Sequence, residues 1–524
     1  MRKRNIYIKT ALAAFTVILS ACSSDNDALD NSTSNQDKPV SNKAMTFRAS
    51  MDGTTTRTDF NGNSTTWSDN DAISILNTAS VPEESDRENQ ADFTISEGVG
   101  TKEATFTGGP IKANGNDNDQ FYAFYPANDQ NFTNTNGTVK MTATIPTVQK
   151  AIAGTYDQSL HFMSAYSTNS TFAFKNVCAL LKITLTNNSS VCRIKVVANP
   201  TLTSPDARDF GYTSIAGNFD ATVSSSDGTA TVTATEQEKT YVELRADGDD
   251  GTATKLLGNG TFYLVVLPTD LPNGFTVIME KQNGRLYQRV NSKIDKFERN
   301  KIYDLGSYSI STTISNFTTL ENAVDLDLPS GTLWAVRNIN KSGSLVTNEY
   351  DNADYFSWGK EEVVRASSYS VPTLTNNTLR TSADYAYSTQ TSNRYCMPIY
   401  AQMYELYSHF PNDKKNSFKR TWTNGNSHNG AEFTADTGRT LWLPYSGYYT
   451  YTGILWADRT QENSQGRYWS RTYASNQKTY CLELQQQSIS GNTEPVTISW
   501  SDNSEYGYSI RGVAVNEKIA PIYQ

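Results

Sequence analysis

The chain has 524 residues and a formal net charge of −9, with 45 Lys and Arg against 54 Asp and Glu. No long basic run follows the opening residues, which excludes the electrostatic footprint of a nucleic-acid binder. The three histidines, His161, His409 and His428, lack metal-site spacing and the five cysteines form no C-x-x-C pair, so the common zinc and thioredoxin-like patterns are excluded too.

The chain opens with Arg2, Lys3, Arg4 and Lys9, then an apolar run from Ala11 to Leu19. A basic region before so short an apolar one reads as a secretory signal and not as a membrane span. The run ends in Leu19-Ser20-Ala21-Cys22, which resembles the bacterial lipobox. That resemblance implies a signal peptide over 1–21 and a lipid on Cys22; an ordinary signal peptide with an incidental cysteine is the alternative. Ser23-Ser24-Asp25-Asn26-Asp27 resembles the surface-export signal of Bacteroidota lipoproteins, although an acidic tether would look the same. The expected location is the outer membrane, lipid-anchored and facing outwards. Residues 22–43 are rich in Ser, Asn and Asp without an apolar period, the composition of a disordered tether.

Strand patterns follow. Met45, Phe47, Ala49 and Met51 alternate with Thr46, Arg48 and Ser50, the period of a half-buried strand. After a Gly/Thr-rich loop and Trp67, Ile73 and Ile75 share one face of the next. Phe121 to Tyr125 is an aromatic strand stopped by Pro126. Leu181, Ile183 and Leu185 alternate up to a turn at Asn187-Asn188-Ser189-Ser190, and the chain returns through Ile194 to Val197. Thr261 to Leu267 is nearly all apolar and reads as a central strand buried on both faces. Phe275, Val277 and Met279 lead to Asn283-Gly284, a hairpin signal whose residues tolerate positive φ, and to Leu286–Val290. Met45 to about Ser307 is therefore all-β, most simply two sandwiches in series, 44–165 and 166–310.

Thr56-Arg57-Thr58, Trp67 and Asp71-Ala72-Ile73-Ser74-Ile75 resemble the start of fimbrillin-like (type V pilin, Mfa-like) proteins. Tyr122 to Pro126, Tyr156-Asp157, Met163-Ser164-Ala165, Phe174-Lys175-Asn176 and Phe297 to Tyr303 continue the pattern in family order. The resemblance implies two transthyretin-like lobes and a pilus-related surface role. It further implies that a trypsin-like protease cuts after Arg57, so that the mature chain starts at Thr58. The strand Met45–Met51 is then lost, and a strand from another subunit fills the groove it leaves. Family members that act as membrane anchors keep the strand, and a plain loop arginine is the other reading of Arg57.

Thr312 to Thr319 reads as a linker. Beyond it Pro398 opens a helix whose Ile399, Met403, Leu406, Tyr407 and Phe410 share one face, ended by Pro411. Around it Gly331-Thr332-Leu333-Trp334-Ala335, Tyr355 to Gly359, Met397-Pro398 with Glu405-Leu406, Leu443 to Tyr448, Gly466 to Ser470 and Tyr508 to Val513 resemble the Fibrobacter succinogenes major paralogous domain. The implied fold for 320–516 is α+β, related to C-type-lectin-like and formylglycine-generating-enzyme-like domains. Cys396 stands where that family usually has an arginine. A buried contact must be replaced there, and a disulfide is one way. Disulfides are permitted outside the cytoplasm; Cys396 with Cys481 is a candidate pairing that sequence alone does not fix.

Catalytic chemistry is not expected. The formylglycine-generating enzymes use a cysteine pair late in the domain, whereas Cys481 has no neighbouring partner in sequence, and no Gly-x-Ser-x-Gly elbow occurs. Glu494-Pro495-Val496, Trp500-Ser501-Asp502-Asn503 and Asp247 to Gly251 are poor matches to calcium motifs, so no metal or other cofactor is expected. Aromatic residues crowd 442–456, and sugars stack their flat C–H faces on such rings. Tyr449, Tyr451 and Trp456 lie beyond the family pattern and are the expected ligand-binding residues.

The expectation is a mainly β chain: two tandem transthyretin-like β-sandwich lobes, then an α+β C-type-lectin-like domain. The expected role is a surface fimbrial subunit, of the tip kind, with an adhesive domain at its far end. Its partners would be other fimbrial subunits by strand addition, a surface glycan or protein, and the outer membrane through Cys22. The alternative is a glycan-binding surface lipoprotein that never polymerises; an enzyme comes third.

Overall fold

The computed structural model describes residues 44–51, 66–79, 88–114, 118–127, 132–204, 206–248, 255–311, 313–364, 366–410, 415–423, 426–450, 455–456, 465–476, 478–485 and 496–521. The fold is mainly β, with 49% of the described residues in strands and 5% in helix. The signal peptide and tether with Cys22, the loop with Arg57 and Thr58, and Tyr451 all lie outside the described residues.

The first seven-stranded sheet closes on itself. Its order is Met45–Met51, Thr171–Asn176, Met163–Ser167, Phe121–Tyr125, Ala72–Asn77, Gln90–Glu97, Glu103–Gly108 and back to Met45–Met51. Phe47, Ala49, Trp67, Ile73, Ile75, Phe106 and Phe172 fill its interior, so the expected alternation delivers the inward face.

The chain then builds a second β unit from three sheets around one core. A three-stranded sheet holds Gly260–Val266, Ala179–Thr186 and Ile302–Ser309. A four-stranded sheet holds Ala230–Ala234, Gly217–Val223, Thr138–Ile145 and Phe132–Thr135. A six-stranded sheet runs Thr318–Leu320, Leu286–Asn291, Phe275–Lys281, Val191–Ala198, Tyr241–Arg245 and Val148–Lys150. Strands 132–150 thus enter this unit before the chain returns to finish the barrel at 163–176.

Four sequence expectations change here. The turn at 187–190 does not make a hairpin: Ala179–Thr186 and Val191–Ala198 lie in different sheets. Asn188 Oδ1, accepting from the Ser190 and Val191 N–H groups, holds that crossing. Gly260–Val266 is buried as expected but lies at the edge of its sheet, not the centre. The Gln149 side chain covers part of that edge, donating to Val265 O and accepting from Val265 N, both at 2.8 Å, so the backbone of Val265 is satisfied there without a further strand. At Asn283-Gly284 only Gly284 takes positive φ, +79°. Finally, the linker ends in a strand: Thr318–Leu320 pairs antiparallel with Leu286–Asn291.

The C-terminal segment carries its own sheets and the one α-helix among the described residues, Tyr400–His409. Arg511–Ala514 lies between Leu333–Asn338 and Tyr395–Cys396, with Ala323–Asp325 outermost. The helix starts two residues later than expected, with Ile399 as its N-cap and Pro398 before it: Gln402 Oε1 accepts from the Ile399 N–H at 3.1 Å, and Met403 and Leu406 are fully buried. Trp334, Leu406, Phe433 and Tyr468 form one apolar cluster, and Trp358, Trp469 and Tyr508 belong to another. A small third cluster joins Val197, Ile278 and Leu320 to Leu333, Ala335 and Ala514, so the segment keeps its own cores yet docks on the six-stranded sheet.

Candidate functional site

The strand Met45–Met51 is the barrel's closure. It pairs antiparallel with Glu103–Gly108, with Phe47 opposite Phe106 and Ala49 opposite Ala104. On its other side it pairs parallel with Thr171–Asn176, with Ala49 opposite Phe172. No pairing joins those two neighbours to each other in the sheet order. Inside, the Phe47 ring meets Phe93 and Phe121 edge-on at 5.1 Å each and stacks on Phe172 at 5.4 Å. Withdrawal of this one strand would bare two rows of backbone donors and acceptors and a ring-sized apolar pocket.

The aromatic residues near 442–456 do not form a single open surface. Trp442 and Tyr445 are buried. Tyr449 is half-buried, its ring edge-on to Tyr355 at 5.0 Å. Trp456 is placed only through its backbone, in the strand Leu455–Trp456 paired with Tyr448–Tyr449.

Cys396 and Cys481 are not joined. Cys396 packs beside Leu406 and Val513, while Cys481 packs in the separate cluster of Trp358 and Trp469. The charged contact beside Cys396 comes from elsewhere. Asp384 accepts from the Met397 N–H at 3.0 and 3.1 Å and lies 3.8 Å from Arg471 Nη1. Burial pushes the Cys396 thiol up to about 12, which keeps it protonated and inert. Among the described residues no group of His, Cys, Asp and Glu is arranged to hold a metal ion, and no helix is long and apolar enough to cross a membrane.

Sequence reasoning missed a buried ion network where the C-terminal segment meets the six-stranded sheet. Arg193 reaches Glu280 at 2.7 Å, Glu243 at 2.9 Å and Asp325 at 2.9 Å. Lys195 reaches Asp325 at 3.1 Å and Asp327 at 3.0 Å. Arg439 bridges Glu280 at 2.7 Å and Asp327 at 3.5 Å, and Arg245 pairs with Glu243. Burial alone would raise the Asp325 carboxyl, but Lys195, Arg193 and Arg439 outweigh it and hold that group well below the carboxylate range. In sequence, Arg193 and Lys195 simply occupy the polar positions of an alternating strand. The missing signal was that a second segment covers that face.

A second buried contact at the same joint is uncharged on its donor side. Glu405 on the helix accepts from the Ser330 N–H at 2.7 Å and from Tyr212 Oη at 2.8 Å. Burial pushes its carboxyl up to about 7, an effect that the hydrogen bonds from Ser330 and Tyr212 only partly offset.

No curated protein matches the chain in sequence. Among solved structures, a candidate cell adhesion protein of Bacteroides uniformis aligns at 17% identity over 53% of this chain and 97% of its own, with a TM-score of 0.30. The tip fimbrial protein Mfa3 of Porphyromonas gingivalis aligns at 9% identity over 53% and 99%, with a TM-score of 0.27. The fimbrial anchor protein Mfa2 of Porphyromonas gingivalis aligns at 10% identity over 53% and 94%, with a TM-score of 0.25. These likenesses are distant, and the assignment rests on the family model described as fimbrillin-like, which matches residues 54–320 and so covers the barrel apart from its strand Met45–Met51, together with the second β unit. The chain belongs to the fimbrillin-like family.

Proposed function

We propose that this chain is a cell-surface fimbrial subunit of the tip kind, which accepts a β-strand from a neighbouring subunit and displays its C-terminal segment as an adhesive module. The observation that carries this is the role of Met45–Met51 as the one link between Glu103–Gly108 and Thr171–Asn176. A strand in that slot satisfies both backbone rows, and its inward side chains fill the Phe47 pocket. Cleavage after Arg57 is the step that would free the slot.

The tip role is supported by where the later strands go. Thr318–Leu320 is committed to the chain's own six-stranded sheet, Arg511–Ala514 lies inside a four-stranded one, and Ile519 and Ala520 pack with Phe210. The two β units are read as the family's paired transthyretin-like lobes. The segment 320–516 is read as the α+β lectin-like domain, a reading favoured by the burial of its motif residues Trp334, Trp358, Trp469 and Tyr508. Lipidation at Cys22 would hold the chain at the outer membrane before assembly.

A second reading is a surface lipoprotein that binds glycans without polymerising. The closed barrel favours it, because Phe47 at 1% exposure is integral to the core while the strand stays. Mass spectrometry of the mature N-terminus separates the two. A chain starting at Thr58 is the expected result. An intact chain that still carries Met45–Met51 behind a lipidated Cys22 would refute strand exchange and leave the lipoprotein.

A further inference from the structure

Ala230–Ala234 is an outer strand of the four-stranded sheet, with Gly217–Val223 on one side and no strand of the described residues on the other. Just beyond its ends, the Thr235 N–H donates to Asn218 O at 2.9 Å and the Ser224 N–H donates to Thr229 O at 2.8 Å. Bonded pairs recur at every second residue of an antiparallel ladder, so Thr231 and Thr233 also bond inwards. Ala230, Val232 and Ala234 therefore aim their N–H and C=O groups at the open side, and among the described residues nothing bonds them there. Buried backbone groups are nearly always paired, so these groups belong to a wet edge.

That edge lacks the usual guards. Free edges are blunted by charged side chains, by proline or by a bulge. No charged residue or proline stands between Asp227 and Glu236. The register from Val223 opposite Ala230 to Phe219 opposite Ala234 runs without a shift. Two other edges are guarded: Ile302–Ser309 carries Asp304 beside a register shift, and Gln149 covers part of Gly260–Val266. The side chains of Ala230–Ala234 divide by face, with Ala230 and Val232 packed on the core and Thr231 and Thr233 exposed.

The residues of the edge select the strand that fits it. Thr229-Ala230-Thr231-Val232-Thr233-Ala234-Thr235 reads the same in both directions. We infer that this edge pairs with the same edge of a second copy of the chain, antiparallel about a twofold axis at Val232. Val232 then lies opposite Val232 of the second copy, Ala230 opposite Ala234, and Thr231 opposite Thr233. Each outward-aimed residue meets another, so the free N–H and C=O groups of Ala230, Val232 and Ala234 all find partners. The exposed threonines meet as Thr–Thr pairs, a favourable cross-strand combination. The patch is self-complementary, as a twofold contact requires, and the two four-stranded sheets become one. Asp227 and Glu236 bound the segment, and their like charges stop the pairing from lengthening. An unrelated strand would gain the backbone bonds alone. The inference stands whether or not Met45–Met51 is exchanged, because that strand belongs to the barrel.

The test is sedimentation of the purified intact chain from about 1 μM to about 500 μM, a range suited to a small, transient interface. A reversible dimer is expected. Thr231→Lys combined with Thr233→Lys sets like charges opposite each other on both sides of the axis and should weaken the dimer about tenfold. Thr231→Glu combined with Thr233→Lys sets opposite charges there and should leave the dimer at least as tight as the native one. The two double variants differ only at position 231, where the side chain is exposed, and both set the Thr233→Lys cation opposite Asp220, so shared damage to the fold does not separate them. Hydrogen exchange on the native chain gives a reading free of substitutions: the Val232 amide should exchange more slowly at the high concentration than at the low one. Four results would each overturn the inference: a chain that stays monomeric, a dimer indifferent to the double lysine variant, equal weakening by both double variants, or a Val232 amide that exchanges alike at both concentrations.

Discussion

At the scale of the residue, Glu405 shows how a position can be conspicuous in sequence while its role is not. It sits in the resemblance motif before Leu406, but nothing near it in the chain reveals that it is 3% exposed and bonded to Ser330 and Tyr212 from distant elements. Its carboxyl is raised from 4.5 to about 7 in the fold, so the folded chain binds more protons than the unfolded one between those values. The stability it contributes is full below about pH 4.5 and is lost as pH rises through about 7. The ion network does not confuse this window. Asp325 is held far below its usual 3.8, so its contribution is present throughout the window and fades only in strong acid. Glu405→Gln should therefore gain on the native chain as pH rises from about 5 to about 8, by on the order of 3 kcal/mol. Denaturant unfolding of both chains at the two pH values checks this. A difference that stays flat would mean that Glu405 titrates normally.

At the scale of the element, alternation located the strand Met45–Met51 and its inward Phe47 and Ala49 from sequence alone, because a period of two survives any choice of partner. It could not say that the strand closes a barrel, since pairing on both edges depends on Glu103–Gly108 and Thr171–Asn176. The same blindness placed Gly260–Val266 at a sheet centre: an apolar run reports burial, whereas Gln149 covers part of its edge. The pocket gives two predictions of opposite kind. Phe47→Ala removes a ring packed on Phe93, Phe121 and Phe172 and should cost about 3–5 kcal/mol in a chain that retains the strand. Ala49→Leu adds volume opposite the buried Ala104 and should cost about 1–3 kcal/mol by overpacking. Both are read from denaturant midpoints. If Phe47→Ala left the midpoint unmoved, the strand would not be part of the barrel core, and the slot would have no pocket to offer an incoming strand.

At the scale of the whole molecule, the question is whether the C-terminal segment hangs from a linker or is fixed to the second β unit. Three observations favour fixation. The linker's end, Thr318–Leu320, is itself a strand of the six-stranded sheet. Gly331 lies so close to that sheet that a Cβ there would meet Val197 Cγ1 at 2.6 Å, and its φ of +72° suits glycine. The buried network sets Arg193, Lys195, Arg245 and Arg439 against Glu243, Glu280, Asp325 and Asp327, and two of those carboxylates come from the C-terminal side. Such a network is a poor source of net stability, because desolvation offsets its Coulomb energy, but it punishes the loss of any one member. Asp325→Ala would leave Arg193 and Lys195 buried without their shared carboxylate, at a cost of about 3–5 kcal/mol. Because that carboxylate lies at the joint, the damage should fall on docking before it falls on either side's own core. The native chain should thus melt both parts in one calorimetric transition, whereas Asp325→Ala should show two, with new proteolytic cutting near the Thr318–Leu320 strand. A variant that still melts as one unit would mean that the apolar contacts of Val197, Ile278 and Leu333 hold the joint unaided. A fixed joint is what an adhesive tip would require, since a pull on the module would then reach the strand-filled barrel through a stiff body.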